Sequence, residues 1–361
     1  MKKPLLRLCS LLLIFLLCAA GYLAFRAWTF LHEPPESEGR DVFFDVLPGA
    51  RLSSVAHKLF EAGLITDEKA FMLLARFSHE QNLLKAGRFA LNTGWLPETV
   101  LATLVHGKPV LYRITVPEGL TIWQTAKLLE AQGFVQAETF LSVVTDPAFL
   151  RHCGIPLPSA EGFLMPDTYL LKKNETQDKQ QSGPGETTVS AERKQATIIA
   201  QRLVDNFWSR TENLWPGKKR PQAADLKRWV IIASIVEKET ALDEERGRVA
   251  GVYTNRLAKN MLLQADPTVI YGLGPTFSGR LLYRHLDDRK NPYNTYQHAG
   301  LPPGPICSFG TNSLKAALVP EAHDFLYFVA QSDGKGHVFS RTLEEHNKAV
   351  QKYRQSKKKP G

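Results

Sequence analysis

The decamer IIASIVEKET, residues 231–240, runs from an apolar stretch straight into two glutamates separated by one lysine. At roughly 100° per residue along a helix, Glu239 shares a face with Ile232, Ile235 and Val236, while Glu237 falls beside Val230 and Ala233 on the other flank. Lys238, Ser234 and Lys227 share the opposite face, which is expected to be wet. Either glutamate can therefore sit half in a core, and periodicity does not choose between them. The ordinary alternative is that both only mark the helix end, paired with Lys238 or Arg246. A carboxyl in a dry setting has another use. Desolvation disfavours its ionised form, so it holds a proton near neutrality and can give it to the departing oxygen in glycosidic cleavage. Ordinary glycosidases add a second carboxylate. Asp266, in LQADPTVIYG, is the candidate by proximity, although Asp-Pro is also a common turn starter.

These residues need elements to hold them. The pattern predicts a helix over 224–240 and another over 244–257, with Val249, Val252, Tyr253 and Leu257 inward. An amphipathic helix is expected over 196–206. Glycine and proline then multiply (Gly272, Gly274, Pro275, Pro292, Gly300, Pro302, Pro303), which marks loops of fixed shape. FLYFVA and HVFS, joined through Asp333-Gly334, read as a hairpin, and Thr342 to Glu345 reads as a capping box opening a last helix. Upstream, residues 46–65 (VLPGARLSSVAHKLFEAGLI) and 116–135 (VPEGLTIWQTAKLLEAQGFV) match at a constant offset of 70, with Gly49 and Gly63 answering Gly119 and Gly133. They read as two related strand–turn–helix units, each running on into another helix. Residues 172–194 are polar, carry Gly-Pro-Gly and lack apolar periodicity, so a loop is expected there.

The amino terminus bears on the compartment. Lys2, Lys3 and Arg7 precede an apolar run of about 18 residues, 8–25, followed by Arg26, Trp28 and Phe30. This predicts a cytoplasmic segment 1–7, a transmembrane anchor 8–28 and a linker 29–40, with everything beyond outside the inner membrane. A cleaved signal peptide is the rival, because Cys18-Ala19-Ala20 resembles a cleavage site. A lipoprotein reading fails, since Phe15-Leu16-Leu17 is too bulky before Cys18. The net charge of +9 suits an anionic partner, but no nucleic-acid motif accompanies it, so nucleic acid is not expected. Cys9 and Cys18 fall in the anchor, leaving Cys153 and Cys307, whose separation the sequence does not fix. Without CxxC or histidine-rich spacing, no metal is expected.

Five blocks then point to a family. EGFLMPDTYLL, ASIVEKET, LLQADPTVIYGLG, NPYNTYQHAGLPPGPI and LYFVAQSDGKGHVFSRTLEEHNKAV resemble, in order, the signature blocks of the endolytic murein transglycosylases (YceG-like family). The resemblance implies an α+β fold: an N-terminal transmembrane helix, a small LysM-like α/β module over 41–111, and a mixed α+β catalytic domain over 112–350. The insert 172–194 looks longer than usual at this join, and a basic tail, 351–361, follows. It also implies cleavage inside peptidoglycan glycan strands at the β-1,4 bond between N-acetylmuramic acid and N-acetylglucosamine. The muramyl C6 hydroxyl attacks its own anomeric carbon, leaving 1,6-anhydro ends. One carboxyl then suffices, giving a proton to the leaving oxygen and taking one from the hydroxyl. By motif position that residue is Glu239, with Glu237 supporting. Gln264, Asp266, Thr268, Tyr271, Tyr293, Asn294, Thr295, Tyr296, His337 and Asn347 are the substrate-binding candidates, and no cofactor is implied. Implied partners are peptidoglycan strands, the inner membrane and the cell-wall synthesis machinery. A non-catalytic peptidoglycan-binding scaffold is the alternative.

Overall fold

The computed structural model describes residues 2–46, 49–173, 188–331 and 336–357. The chain is mixed α+β and divides into two units that meet between Tyr112 and Arg113.

The first unit begins with helix α1 (Lys2–His32), whose window Leu13–His32 is long and apolar enough to cross a bilayer. Strand β1 (Asp41–Val46), helices α2 (Leu52–Glu61) and α3 (Glu68–Phe77), strand β2 (Gly87–Asn92) and helix α4 (Pro97–His106) follow. β1 and β2 pair antiparallel, from Asp41 opposite Asn92 to Val46 opposite Gly87. The pleat alternates, so Phe44 and Val46 go inward while Phe43 stays exposed. Leu59 of α2, Phe71 of α3 and Leu104 of α4 close over them in one core. Phe30 belongs to this core too, and α1 stays helical through residues 29–32, where a linker was expected to begin.

The second unit opens with β3 (Tyr112–Val116), α5 (Ile122–Ala131), α6 (Ala137–Val144), α7 (Pro147–His152) and β4 (Asp167–Leu171), β4 pairing with β3. The repeat read from sequence is a structural one: strand, helix, helix in both places. Its glycines match in conformation, with φ of +76° and +69° at Gly49 and Gly63 and +79° and +71° at Gly119 and Gly133. Left-handed backbone of that kind is open to glycine and strained for other residues.

Helix α8 (Thr188–Thr211) starts earlier than the apolar pattern suggested, so 188–194 of the expected loop is helical, while 174–187 lies outside the described residues. Next come α9 (Ala223–Glu239), α10 (Asp243–Ala258), α11 (Asp266–Gly272), α12 (Tyr283–Leu286) and α13 (Thr311–Leu318). α9 is the central rod, with α10, α11 and α13 packed around it. Burial consequently runs unbroken from Val230 to Val236. Ser234 is a correction: it is fully buried rather than on a wet face, donating to the Ile231 carbonyl and accepting from the Ile306 N–H at 3.0 Å. Lys227 and Lys238 on the same helical face are exposed as expected, so the wet face is interrupted only where neighbouring elements cover Ser234.

Strands β5 (Tyr327–Ala330) and β6 (His337–Ser340) form the expected antiparallel hairpin, its Asp333-Gly334 turn lying outside the described residues. Helix α14 (Leu343–Lys357) closes the chain, with Thr342 Oγ1 accepting from the Glu345 N–H and Glu345 answering the Thr342 N–H. Cys153 and Cys307 are both free and buried, so they do not pair.

Candidate active site

Where α9 ends, the backbone turns extended at Thr240, whose N–H still bonds the Val236 carbonyl. That geometry projects the last helical side chain, Glu239, into a cleft of about 310 Å³. Glu239, Tyr253, Arg256, Gln264, Asp266 and Tyr296 line it, together with the hairpin residues Phe328 to Ala330, His337 and His346. Size does not single this cleft out. Cavities of about 500 Å³ beside Arg51 and Arg76, and about 730 Å³ beside Phe149 and Arg193, are larger. Chemistry does.

Burial pushes the Glu239 carboxyl up to about 7, and the charge of Asp266 adds to the rise. The Tyr253 hydroxyl, His337 and Arg256 pull the other way. Tyr253 donates to Glu239 Oε1 at 2.7 Å, and no hydrogen bond to Oε2 is found among the described residues. One oxygen is thus held by Tyr253 and the other is not. Asp266, at the first turn of α11, accepts a 2.6 Å bond from the Tyr296 hydroxyl. Arg256 is buried and committed: its guanidinium bonds the carbonyls of Leu263 and Leu326 and reaches Gln264 Oε1 at 3.3 Å. Gln264 itself sits at φ +52°, a left-handed conformation uncommon outside glycine, within the cleft wall. His337 is fixed by Glu245, which takes its backbone N–H at 2.8 Å and meets Nδ1 at 2.7 Å.

Glu237 has a different fate. Its carboxylate accepts from Arg246 at 3.2 Å, Ser313 at 2.8 Å and the Gly310 N–H at 3.1 Å, and both partners of the ion pair are nearly sealed from solvent. The two neighbouring glutamates are therefore sorted by their surroundings, Glu237 into an internal ion pair and Glu239 into the cleft.

The other sequence candidates divide as well. Gln264, Asp266, Tyr296 and His337 line the cleft. Thr268, Asn294 and Thr295 are buried and their bonding groups are spent inside the loop. Thr268 and Thr295 hydroxyls meet at 2.9 Å, and the Asn294 amide bonds the carbonyls of Leu286 and Asp288. Tyr271 stacks on Trp123 and meets Tyr293 at a tilt of 55°, with centroids 4.8 Å from each, and neither tyrosine lines the cleft. Asn347 is exposed on α14; its neighbour His346 reaches the cleft instead and stacks on Tyr327 at 5.3 Å. Tyr253 and Arg256 were missed as site residues, although the inward placement of Tyr253 was legible from its helical position. Glu161 was missed altogether. It is fully buried, accepts the Ile122 N–H at 2.9 Å, and burial raises it to about 8.

A proton-holding carboxyl in a polar cleft, one oxygen fixed and one free, is the working arrangement of a general acid–base enzyme. Comparison with known proteins narrows the class. The chain belongs to the YceG-like family, whose model matches residues 44–352. It is 31% identical over 346 residues to the endolytic murein transglycosylase of Bacillus subtilis (strain 168), spanning 91% of this chain and 89% of that one. The endolytic murein transglycosylase of Streptococcus pneumoniae serotype 2 (strain D39 / NCTC 7466) is 27% identical over 380 residues, 96% of this chain and 65% of that one. A crystal structure of a yceG-like protein from Listeria monocytogenes superposes with a TM-score of 0.52 at 29% identity, covering 85% of this chain and 98% of that one.

Proposed function

We propose that this chain is a lytic transglycosylase that cuts peptidoglycan glycan strands internally, with Glu239 as its single acid–base group. The names of the relatives support the activity, and the environment of Glu239 supports the residue. With a pKa of about 7 the carboxyl holds its proton in about half of the molecules at neutrality, and that protonated fraction starts the turnover. It donates that proton to the oxygen between N-acetylmuramic acid and N-acetylglucosamine as the C1–O bond breaks. The muramyl C6 hydroxyl forms the new bond to C1, and its proton passes to the Glu239 carboxylate. The carboxyl ends as it began, one strand has become two, and the new end is 1,6-anhydromuramyl. Tyr253, bonded to Oε1, steadies the carboxylate between the two transfers. Gln264, Asp266, Tyr296 and His337 offer polar contacts to the sugar, whereas Glu237 supports the site by holding α9 to α10 and α13.

The same reading places α1 in the inner membrane, with residues 1–7 cytoplasmic and both units outside, near the cell-wall synthesis machinery. The strand–helix–helix–strand order of residues 41–92, followed by α4, supports a LysM-like, peptidoglycan-contacting module over 41–111, ahead of a catalytic domain over 112–350.

One observation favours a second chemistry. The charge of Asp266 acts on Glu239 within the cleft, so a hydrolytic acid–carboxylate pair is available, and it would leave reducing ends. Digestion of purified sacculi followed by mass spectrometry separates the two by the mass of one water. Anhydro-ended fragments from the wild type, absent with Glu239→Gln while strand binding persists, support the transglycosylase. Reducing ends sink it, and no fragments from the wild type favour a non-catalytic scaffold.

A further inference from the structure

The junction between α1 and the first unit does not have the form of a tether. The apolar run of α1 ends at Phe25, and the next residue, Arg26, donates to Asp67 Oδ2 at 2.8 Å. Phe30, about 6 Å further along the same helix at 1.5 Å per residue, is 4% exposed within the core. One rigid helix is thus gripped at two points a turn apart, and the lower grip adjoins its apolar run.

Asp67 in turn fixes what surrounds it. It is the N-cap of α3, accepting from the N–H groups of Lys69 and Ala70, so the start of α3 stands at the level of Arg26. The contact of His57 with Glu68 at 2.9 Å brings the second half of α2 beside the start of α3. Phe60 lies in the last turn of α2, beyond His57 toward the α2–α3 connection, and 47% of its surface is exposed. Lys69 is exposed nearby, and Trp28, on α1 itself, is 53% exposed. A single exposed aromatic on a soluble surface needs no explanation. Aromatic and lysine side chains within one turn of an apolar span have the composition that the headgroup region of a bilayer selects.

We infer that the α2–α3 end of the first unit is a lipid-contacting surface, seated in the headgroup layer of the bilayer that α1 crosses, with Phe60 as its inserted side chain. The inference rests on the anchor reading proposed above and goes beyond it: the unit lies on the membrane instead of hanging from it. The occupant is lipid because α1 delivers this surface to lipid whatever else is bound. The acidic groups at this end do not oppose the placement strongly, since Asp67 is paired with Arg26, and Glu61 and Glu68 with His57.

The test uses the full chain in vesicles of mixed zwitterionic and anionic lipid. Cys9 and Cys18 are replaced by alanine, and Phe60→Cys carries an environment-sensitive fluorophore. Quenching by lipids with a nitroxide near the headgroup, at least twofold, is expected, together with protection from aqueous iodide relative to the same protein in detergent. Asp67→Ala should weaken both effects. Equal iodide access in vesicles and detergent, with no nitroxide quenching, overturns the seat. Intact mass distinguishes the two levels of failure: a chain lacking α1 removes the anchor and the seat together, whereas an intact chain with an unquenched label removes the seat alone.

Discussion

Replacing Glu239 by glutamine separates function from stability in a way only a buried acid permits. The side chain keeps its shape and an acceptor for the Tyr253 hydroxyl, but it can neither give nor take a proton. Release of fragments should fall to background at every pH. Stability should move in the opposite sense, by an amount that grows from about pH 4.5 and levels off above pH 7. Burial raises the Glu239 carboxyl from 4.5 to about 7, so between those values the folded chain binds more protons here than the unfolded chain does. Its contribution to stability is therefore present at pH 4 and lost progressively as pH rises through 7. A tenfold change in proton affinity is worth about 1.4 kcal/mol, which puts the full cost of ionising the group in place at no more than about 3–4 kcal/mol. Solvent in the cleft screens part of it, leaving roughly 1–2 kcal/mol. The glutamine variant should unfold together with the wild type at pH 4 and exceed it by roughly 2–8 °C at pH 8. Calorimetry at the two pH values reads this directly. A variant no more stable than the wild type at pH 8 would refute the claim that the carboxyl is held against its tendency to ionise. Retained fragment release would refute its role.

Other outcomes follow from the same geometry. Tyr253→Phe removes a donor that favours the ionised carboxyl, so the alkaline limb of the pH–rate profile should move upward by about 0.7 pH units, for a differential bond worth about 1 kcal/mol. Asp266→Asn removes a charge that favours the protonated carboxyl, so the same limb should move downward with anhydro products intact; loss of all products would instead make Asp266 a second catalytic group. Arg246→Ala strands Glu237 in a nearly solvent-free site and should cost about 3–5 kcal/mol in denaturant melts. Glu237→Gln, which keeps acceptors for Ser313 and Gly310, should cost much less.

The parts legible in the sequence are those with local signals. The hairpin, the capping box at Thr342, the spans of α9 and α10 and the duplicated strand–turn–helix all follow from short-range patterns. Choosing between Glu237 and Glu239 does not, because each flanks the apolar stripe equally well. The choice is made by Arg246, Ser313 and the Gly310 N–H, which arrive from other elements and claim Glu237. Ser234 was misread for the same reason: the Ile306 segment arrives from elsewhere in the chain to cover it, while Lys227 and Lys238 on the same face stay exposed. Asn294, Thr268 and Thr295 look like ligand contacts in one dimension, yet folding turns their polar groups upon one another and upon carbonyls of their own loop. Glu161 carries no local mark of its burial at all.

The duplicated unit also provides a matched pair of levers. Gly63 and Gly133 occupy equivalent turns at φ of +69° and +71°, and an added methyl group would meet no backbone or core atom at either. Alanine at one or the other therefore imposes the same backbone penalty, about 1–2 kcal/mol, with no clash to confuse it. Placed at 63 it loads only the amino-terminal body, and placed at 133 only the carboxy-terminal one. If their melting transitions shift one at a time, each half unfolds to its own schedule; if both shift together, the halves lend one another stability.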